Sequence, residues 1–144
     1  MIIVKRMAGP PYTGHCMCGG VRFEVLAEPE SAGYCHCTRC QRRTGTAASA
    51  QARLAPGSFN LLAGEELVKT YTPEDGWAKS FCSNCGSALW SHAPDTGEVG
   101  SVRLGLFDPG HDIRPQWHTF VTYACEWEPM RDDGLERYPE ARPR

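Results

Sequence analysis

The chain has 144 residues, 41% of them apolar and 22% charged, with a formal net charge of −2. That length suits one domain with a real core, and the balance of charge argues against a strongly basic nucleic-acid binder or a protein held electrostatically to anionic membranes. No apolar run approaches the roughly 20 residues of a membrane-spanning helix. The opening MIIVKRMAGPPYTG has no apolar stretch after its cations, so the expectation is a soluble, cytoplasmic protein.

In chain order, residues 21–26 (VRFEVL) alternate apolar and polar side chains, as a half-buried strand does. Residues 47–54 and 67–71 read as further strands. Residues 77–81 lead into Cys82, and 88–91 lead out of Cys85. Residues 99–106 and 119–125 complete the set. The breaks carry turn chemistry: Pro56-Gly57, Ala63-Gly64, Pro73-Glu74-Asp75-Gly76, Asp95-Thr96-Gly97 and Asp108-Pro109-Gly110. No stretch sustains a 3.6-residue apolar period, which leaves room only for a short helix after Cys40 or near Pro115. The prediction is therefore a mostly β, single-domain chain whose charged tail, residues 129–144, crosses the surface.

Seven of the eight cysteines fall in three clusters: Cys16-Met-Cys18, Cys35-His-Cys37-Thr-Arg-Cys40 and Cys82-Ser-Asn-Cys85. In reducing surroundings such spacings serve metal ligation more often than disulfides. Cys-x-x-Cys before Gly86 makes a knuckle, because the turn aims two sulfurs at one point and glycine accepts the positive φ that turns amides toward them. Cys18 is followed by Gly19 and Gly20, and the echo suggests two similar turns.

A closed structural zinc site takes four ligands. Cys16, Cys18, Cys82 and Cys85 supply four, which would join distant parts of the chain. Cys35, Cys37 and Cys40 supply three, the pattern of a reactive site with one open position. Other partitions of the thiols are possible. The outer pairs could be buried free cysteines or a disulfide, and the middle cluster could be a second structural site closed by His36 or another histidine. In an extended segment His36 points away from the metal and supports its neighbours instead. His92, His111 and His118 have no spacing that forces a role, and His118 reads as a partner of backbone. Cys125, in an aromatic stretch, reads as plain core.

Zinc with three thiolates carries about one negative charge, and an exogenous thiolate would add another. Arg39, Arg42 and Arg43 stand beside that cluster. They could offset the charge and hold carboxylates of a ligand, although a solvated cationic face is the plainer use of any one of them. Three thiolates make zinc a poor activator of water and a good partner for sulfur.

The segments GHCMCGGVRFEV, YCHCTRCQRRTG and FCSNCGSALW, in that order, resemble the glutathione-dependent formaldehyde-activating enzyme (centromere-protein-V-like) family. PQWHTFV from Pro115 and GLERYPE from Gly134 extend the likeness over roughly residues 12–141. The resemblance implies a mostly β, Mss4-like (β-tent) zinc fold. It implies a structural zinc on Cys16, Cys18, Cys82 and Cys85, and a second zinc on Cys35, Cys37 and Cys40. The implied activity is a carbon–sulfur lyase reaction that joins formaldehyde to glutathione, with the glutathione sulfur as fourth ligand of the second zinc. Thr44 and Gly45 match the family motif as a turn shaping the site wall. The competing expectation is a zinc-stabilised protein-binding module, with no pocket near Cys35, Cys37 and Cys40 and a possible patch of Trp77, Trp90, Trp117 and Trp127.

Overall fold

The computed structural model describes residues 9–143. Its described residues form eleven strands and one α-helix: β1 (Tyr12–His15), β2 (Arg22–Val25), β3 (Ser31–Cys35), α1 (Thr38–Thr44), β4 (Ser49–Arg53), β5 (Phe59–Ala63), β6 (Val68–Tyr71), β7 (Ala78–Cys82), β8 (Ala88–His92), β9 (Val99–Arg103), β10 (Trp117–Thr119) and β11 (Glu136–Arg137). Two sheets result. A three-stranded sheet runs β1-β2-β5, and an eight-stranded sheet runs β11-β10-β3-β4-β9-β8-β7-β6. All pairings are antiparallel except β10 with β3 and with β11.

The two-residue period of the strands sorts the large sheet into two faces. Ala52 of β4, Val102 of β9 and Trp90 of β8 lie in register on one face, all essentially buried. The small sheet closes over that face. Phe23 of β2, 1% exposed, packs edge-on against Trp90 and Phe107 and stacks with Phe59 of β5. On the other face stand Gln51, Arg53, Lys79, Ser91, Ser101 and Arg103, which line one cavity together with residues of α1. The alternation that builds the core thus puts a polar and cationic row directly behind it.

Two glycines make room on the cavity face. A methyl at Gly33 of β3 would overlap the Trp117 ring, and one at Gly100 of β9 would overlap Trp77. Both tryptophan rings therefore press close to sheet backbone, and both wall the cavity.

The predicted strands at 21–26, 47–54, 67–71, 77–81, 88–91 and 99–106 each overlap an observed one; β7 and β8 run one residue further, to Cys82 and His92, and the last ends at Arg103 and passes into a 3-10 turn, Leu104–Leu106. The predicted strand at 119–125 is not formed. The strand is Trp117–Thr119, after which Phe120 takes a left-handed φ of 55° and the chain enters a 3-10 turn, Val121–Tyr123. The tail captures the backbone here: Phe120 N–H donates to the Glu140 carbonyl, and Val121 N–H to that of Tyr138. Tertiary hydrogen bonds override the strand propensity of FVTY. Cys125 is accordingly half-buried and outside the core, contrary to the expectation. The helix begins at Thr38, before Cys40, and none forms near Pro115. The tail does cross the surface, but it also contributes β11. Of the four tryptophans proposed as a patch, Trp90 is core and Trp127 alone is strongly exposed.

Gly33→Ala should displace Trp117 and cost about 1–3 kcal/mol, the usual range for overpacking a filled site. Urea unfolding followed by tryptophan fluorescence checks this, with Gly105→Ala, where open space surrounds the position, as the neutral comparison.

Candidate metal centres and ligand cavity

Cys16 and Cys18 follow β1, while Cys82 ends β7 and Cys85 sits in the turn to β8. Both segments fold as the same knuckle. Gly19 N–H donates to the Cys16 carbonyl and Gly86 N–H to that of Cys82, with φ of 77° and 80° at the glycines. Cys16 N–H is bonded to the Val21 carbonyl, Cys82 N–H to that of Ser87, and Val21 N–H donates to Cys16 Sγ at 3.3 Å. The four sulfurs lie within 4.8 Å of one another. Cys16 Sγ is 3.5 Å from Cys18 Sγ, and Cys18 Sγ is 3.9 Å from Cys82 Sγ. A tetrahedral ion bound at about 2.3 Å requires sulfur–sulfur edges of about 3.8 Å, so the cage fits such a metal. Cys85 is already held well below the usual thiol range by hydrogen bonds from the Ser87 hydroxyl and backbone, whereas burial pushes Cys82 up to about 11.

Cys35 ends β3, Cys37 caps α1, and Cys40 lies in its first turn. The cap is itself a sulfur: Cys40 N–H donates to Cys37 Sγ at 3.3 Å. The helix is thus begun by the same side chain that belongs to the cluster. It ends at Gly45 with φ 67°, whose N–H returns to the Gln41 carbonyl, and Thr44 Oγ1 donates to the Cys40 carbonyl. The three sulfurs also lie within 4.8 Å of one another, and among the described residues no His, Asp or Glu joins them. Hydrogen bonds from Cys35 and Cys37 pull the Cys40 thiol far down. Ser49 and the field of Arg103 act in the same direction. Cys35 moves up as the donor of the set. These surroundings favour the thiolate form at Cys40, the form in which a cysteine binds metal.

A cavity of about 490 Å³ opens on Cys37 and Cys40. Its wall carries Arg39, Arg43, Arg53, Lys79 and Arg103, with Trp77, Trp117 and Phe120 as apolar surfaces. Arg43 donates to the carbonyls of Ser80 and Trp90 and to Ser91 Oγ, and Arg103 donates to Gln51 Oε1 and to the same Ser91 hydroxyl. Burial, then the neighbouring Arg103, lowers Arg43 to about 10. Of the arginines expected beside the cluster, the structure brings Arg39 and Arg43 to the cavity and leaves Arg42 exposed, outside its wall. Arg53, Lys79 and Arg103 were not anticipated. Their signal was a cation at a cavity-facing register position of a strand, Arg103 being 7% exposed.

Behind the trio, His36 is buried, and its Nε2 lies 2.8 Å from His118 Nδ1. His118 Nε2 in turn lies 2.7 Å from Asp133 Oδ2. With the Asp133 carboxylate accepting from His118 Nε2–H, His118 Nδ1 can accept from His36 Nε2–H. His36 does point away from the sulfurs, and His118 is bound by side chains, not by backbone as expected from sequence. His92 and His111 make local bonds, to Ser80 and the Gly97 carbonyl and to Ile113 N–H respectively.

These features define a small, mostly β domain with two cysteine clusters able to hold metal ions, one closed and one opening on a cationic cavity. The chain belongs to the glutathione-dependent formaldehyde-activating enzyme family, whose model matches residues 11–123. A Halomonas elongata protein carrying the same family description is 33% identical over 138 residues, 88% of each chain. An uncharacterised lyase of Schizosaccharomyces pombe is 26% identical over 81 residues, 56% of this chain and 57% of that one. The crystal structure of a Rhodobacter sphaeroides protein superposes with a TM-score of 0.51 at 24% identity, covering 88% of this chain and 98% of that one, a likeness of fold. No helix of the described residues is long and apolar enough to cross a membrane.

The hydrogen bond from His118 holds the Asp133 carboxyl below its usual value, aided by Leu135 N–H. A carboxyl lowered on folding adds stability above about pH 4, and that stability is lost as the pH falls through the folded value. Asp133→Asn should therefore lower the urea midpoint at pH 7, and its gap to the parent should narrow as the pH drops below about 4. A gap independent of pH would assign the contact to geometry alone.

Proposed function

We propose that both clusters bind zinc, and that the protein is a carbon–sulfur lyase-type enzyme which holds a small thiol such as glutathione at Cys35, Cys37 and Cys40 while a small carbonyl such as formaldehyde joins or leaves its sulfur. The carrying observation is a cysteine trio of which Cys37 and Cys40 line a cavity that also carries five cations. The family and the descriptions of its relatives support the same reading. A non-catalytic binding module predicts no such cavity. In this reading residues 1–144 form one domain, and the need to keep both clusters reduced for metal binding supports a reducing, cytoplasmic setting.

When bound, zinc supplies a site that keeps a fourth thiol as thiolate at neutral pH. The protein's own groups do the rest. The cationic wall, Arg39 at its edge and Arg43 beside the trio included, draws in the carboxylates of the thiol substrate. Arg103 offsets the accumulated thiolate charge, with which it interacts through all three cysteines. Trp77, Trp117 and Phe120 exclude water from one side, which strengthens each charge pairing. In the forward direction the substrate sulfur bonds to the carbonyl carbon, the π pair moves to oxygen, and the proton given up by the thiol ends on that oxygen. The reverse breaks the same carbon–sulfur bond.

Cys40→Ser tests this. The variant should keep the parent's circular dichroism and the four-cysteine metal, lose one metal equivalent per chain, and lose at least about tenfold in glutathione affinity. Glutathione binding unchanged from the parent would remove the reading.

A further inference from the structure

Building on the thiol reading above, we infer that the cavity is shaped for a thiol that carries at least two carboxylates and no ammonium group. Five cationic side chains line it and no carboxylate does. Only Arg39 has an acidic partner, the exposed Asp75 at 3.4 Å. Arg43, Arg53, Lys79 and Arg103 belong to no ion pair among the described residues.

Their positive charge is answered unequally. Arg43 and Arg103 are held by neutral acceptors of the sheet and lie beside the cysteine trio. Among the described residues Lys79 and the exposed Arg53 have no acidic partner. Lys79 is half-buried and, among the described residues, has no side-chain hydrogen bond, while burial and the nearby Arg43 and Arg103 destabilise its ammonium. Arg53 lies over the Trp77 ring at 5.5 Å, and among the described residues its N–H fork has no acceptor. Two further donors in the wall residues, Arg103 Nε and Trp117 Nε1, are buried without an acceptor among the described residues.

The ligand must therefore bring anionic acceptors in addition to its sulfur, one for Lys79 and one for Arg53. A planar carboxylate suits the guanidinium fork. An ammonium group would meet like charge and no side-chain carboxylate, which selects against simple aminothiols. Glutathione, with two carboxylates and one ammonium, meets this demand only in part. The volume suits a molecule of its size or smaller.

The test is isothermal titration of the metal-loaded protein at low ionic strength with mercaptosuccinate, succinate, 2-mercaptoethanol, cysteamine and inorganic phosphate. Mercaptosuccinate should bind at least about tenfold more tightly than 2-mercaptoethanol, with cysteamine weakest, and succinate should compete with it. Lys79→Gln and Arg53→Gln remove no hydrogen bond given by the structure, so both should fold. Each should weaken mercaptosuccinate and succinate by about tenfold and leave 2-mercaptoethanol unchanged. Equal affinity for mercaptosuccinate and 2-mercaptoethanol would overturn the inference while leaving the thiol reading intact. Succinate binding as tightly as mercaptosuccinate would support the anion site and remove the thiol reading. Phosphate binding more tightly than succinate would overturn the carboxylate assignment.

Discussion

The arrangement depends on four sulfurs meeting across two sheets. Cys16 and Cys18 belong to the β1–β2 hairpin of the small sheet, and Cys82 and Cys85 to the β7–β8 hairpin of the large one. Cys18 and Cys82 are 64 residues apart. Joining them closes a long loop, which is where a cross-link restricts the unfolded chain most. A structural metal of this kind is worth about 10–16 kcal/mol in small peptides, against about 5–15 kcal/mol for the whole stability of a domain. With the metal bound as proposed, even a fraction of that energy would decide whether the small sheet stays on the large one.

The second cluster has the opposite economy. Its three sulfurs come from six consecutive positions, so holding a metal there closes almost no loop and adds little to the fold. What it gains is access. Cys37 and Cys40 stand at a helix start above a row of sheet side chains, and the ladder pairing of Gln51 with Arg103 and of Arg53 with Ser101 places cations in that row at fixed spacing. The cations and the thiolates depend on each other. Arg43 and Arg103 are tolerable where they lie because carbonyls, hydroxyls and sulfur charge surround them, and the thiolates are tolerable because of the arginines. Behind them, Asp133, His118 and His36 tie the tail to the segment between Cys35 and Cys37.

What could be read from the sequence was what is local. Knuckle spacing, Cys-x-Cys spacing and the glycines after them announced both clusters, because the turns that aim the sulfurs are made by adjacent residues. Strands with clean alternation, such as RFEV, announced themselves in the same way. SAGYC did not read as a strand because it is small where Trp117 lies against it. The late strand was misjudged at 119–125 because hydrogen bonds from the tail, some 17 to 20 residues away, turn the chain at Phe120. The cavity wall was missed for a similar reason. Arg53, Lys79 and Arg103 reach the trio only through sheet pairing, and the His36–His118 contact spans 82 residues. Arg42 is adjacent to the cluster in sequence, yet helix geometry turns it to solvent while Arg39 and Arg43, four residues apart, share the inner face.

In the proposed two-metal reading one cluster holds the fold together and the other does not. The most direct measurement is metal release under increasing chelator strength, followed together with circular dichroism on the reduced, metal-loaded chain. Two release steps are expected, about one metal each. The first should leave the spectrum unchanged, and the second should coincide with unfolding. A single release step coincident with global unfolding would contradict the division of labour between the two clusters.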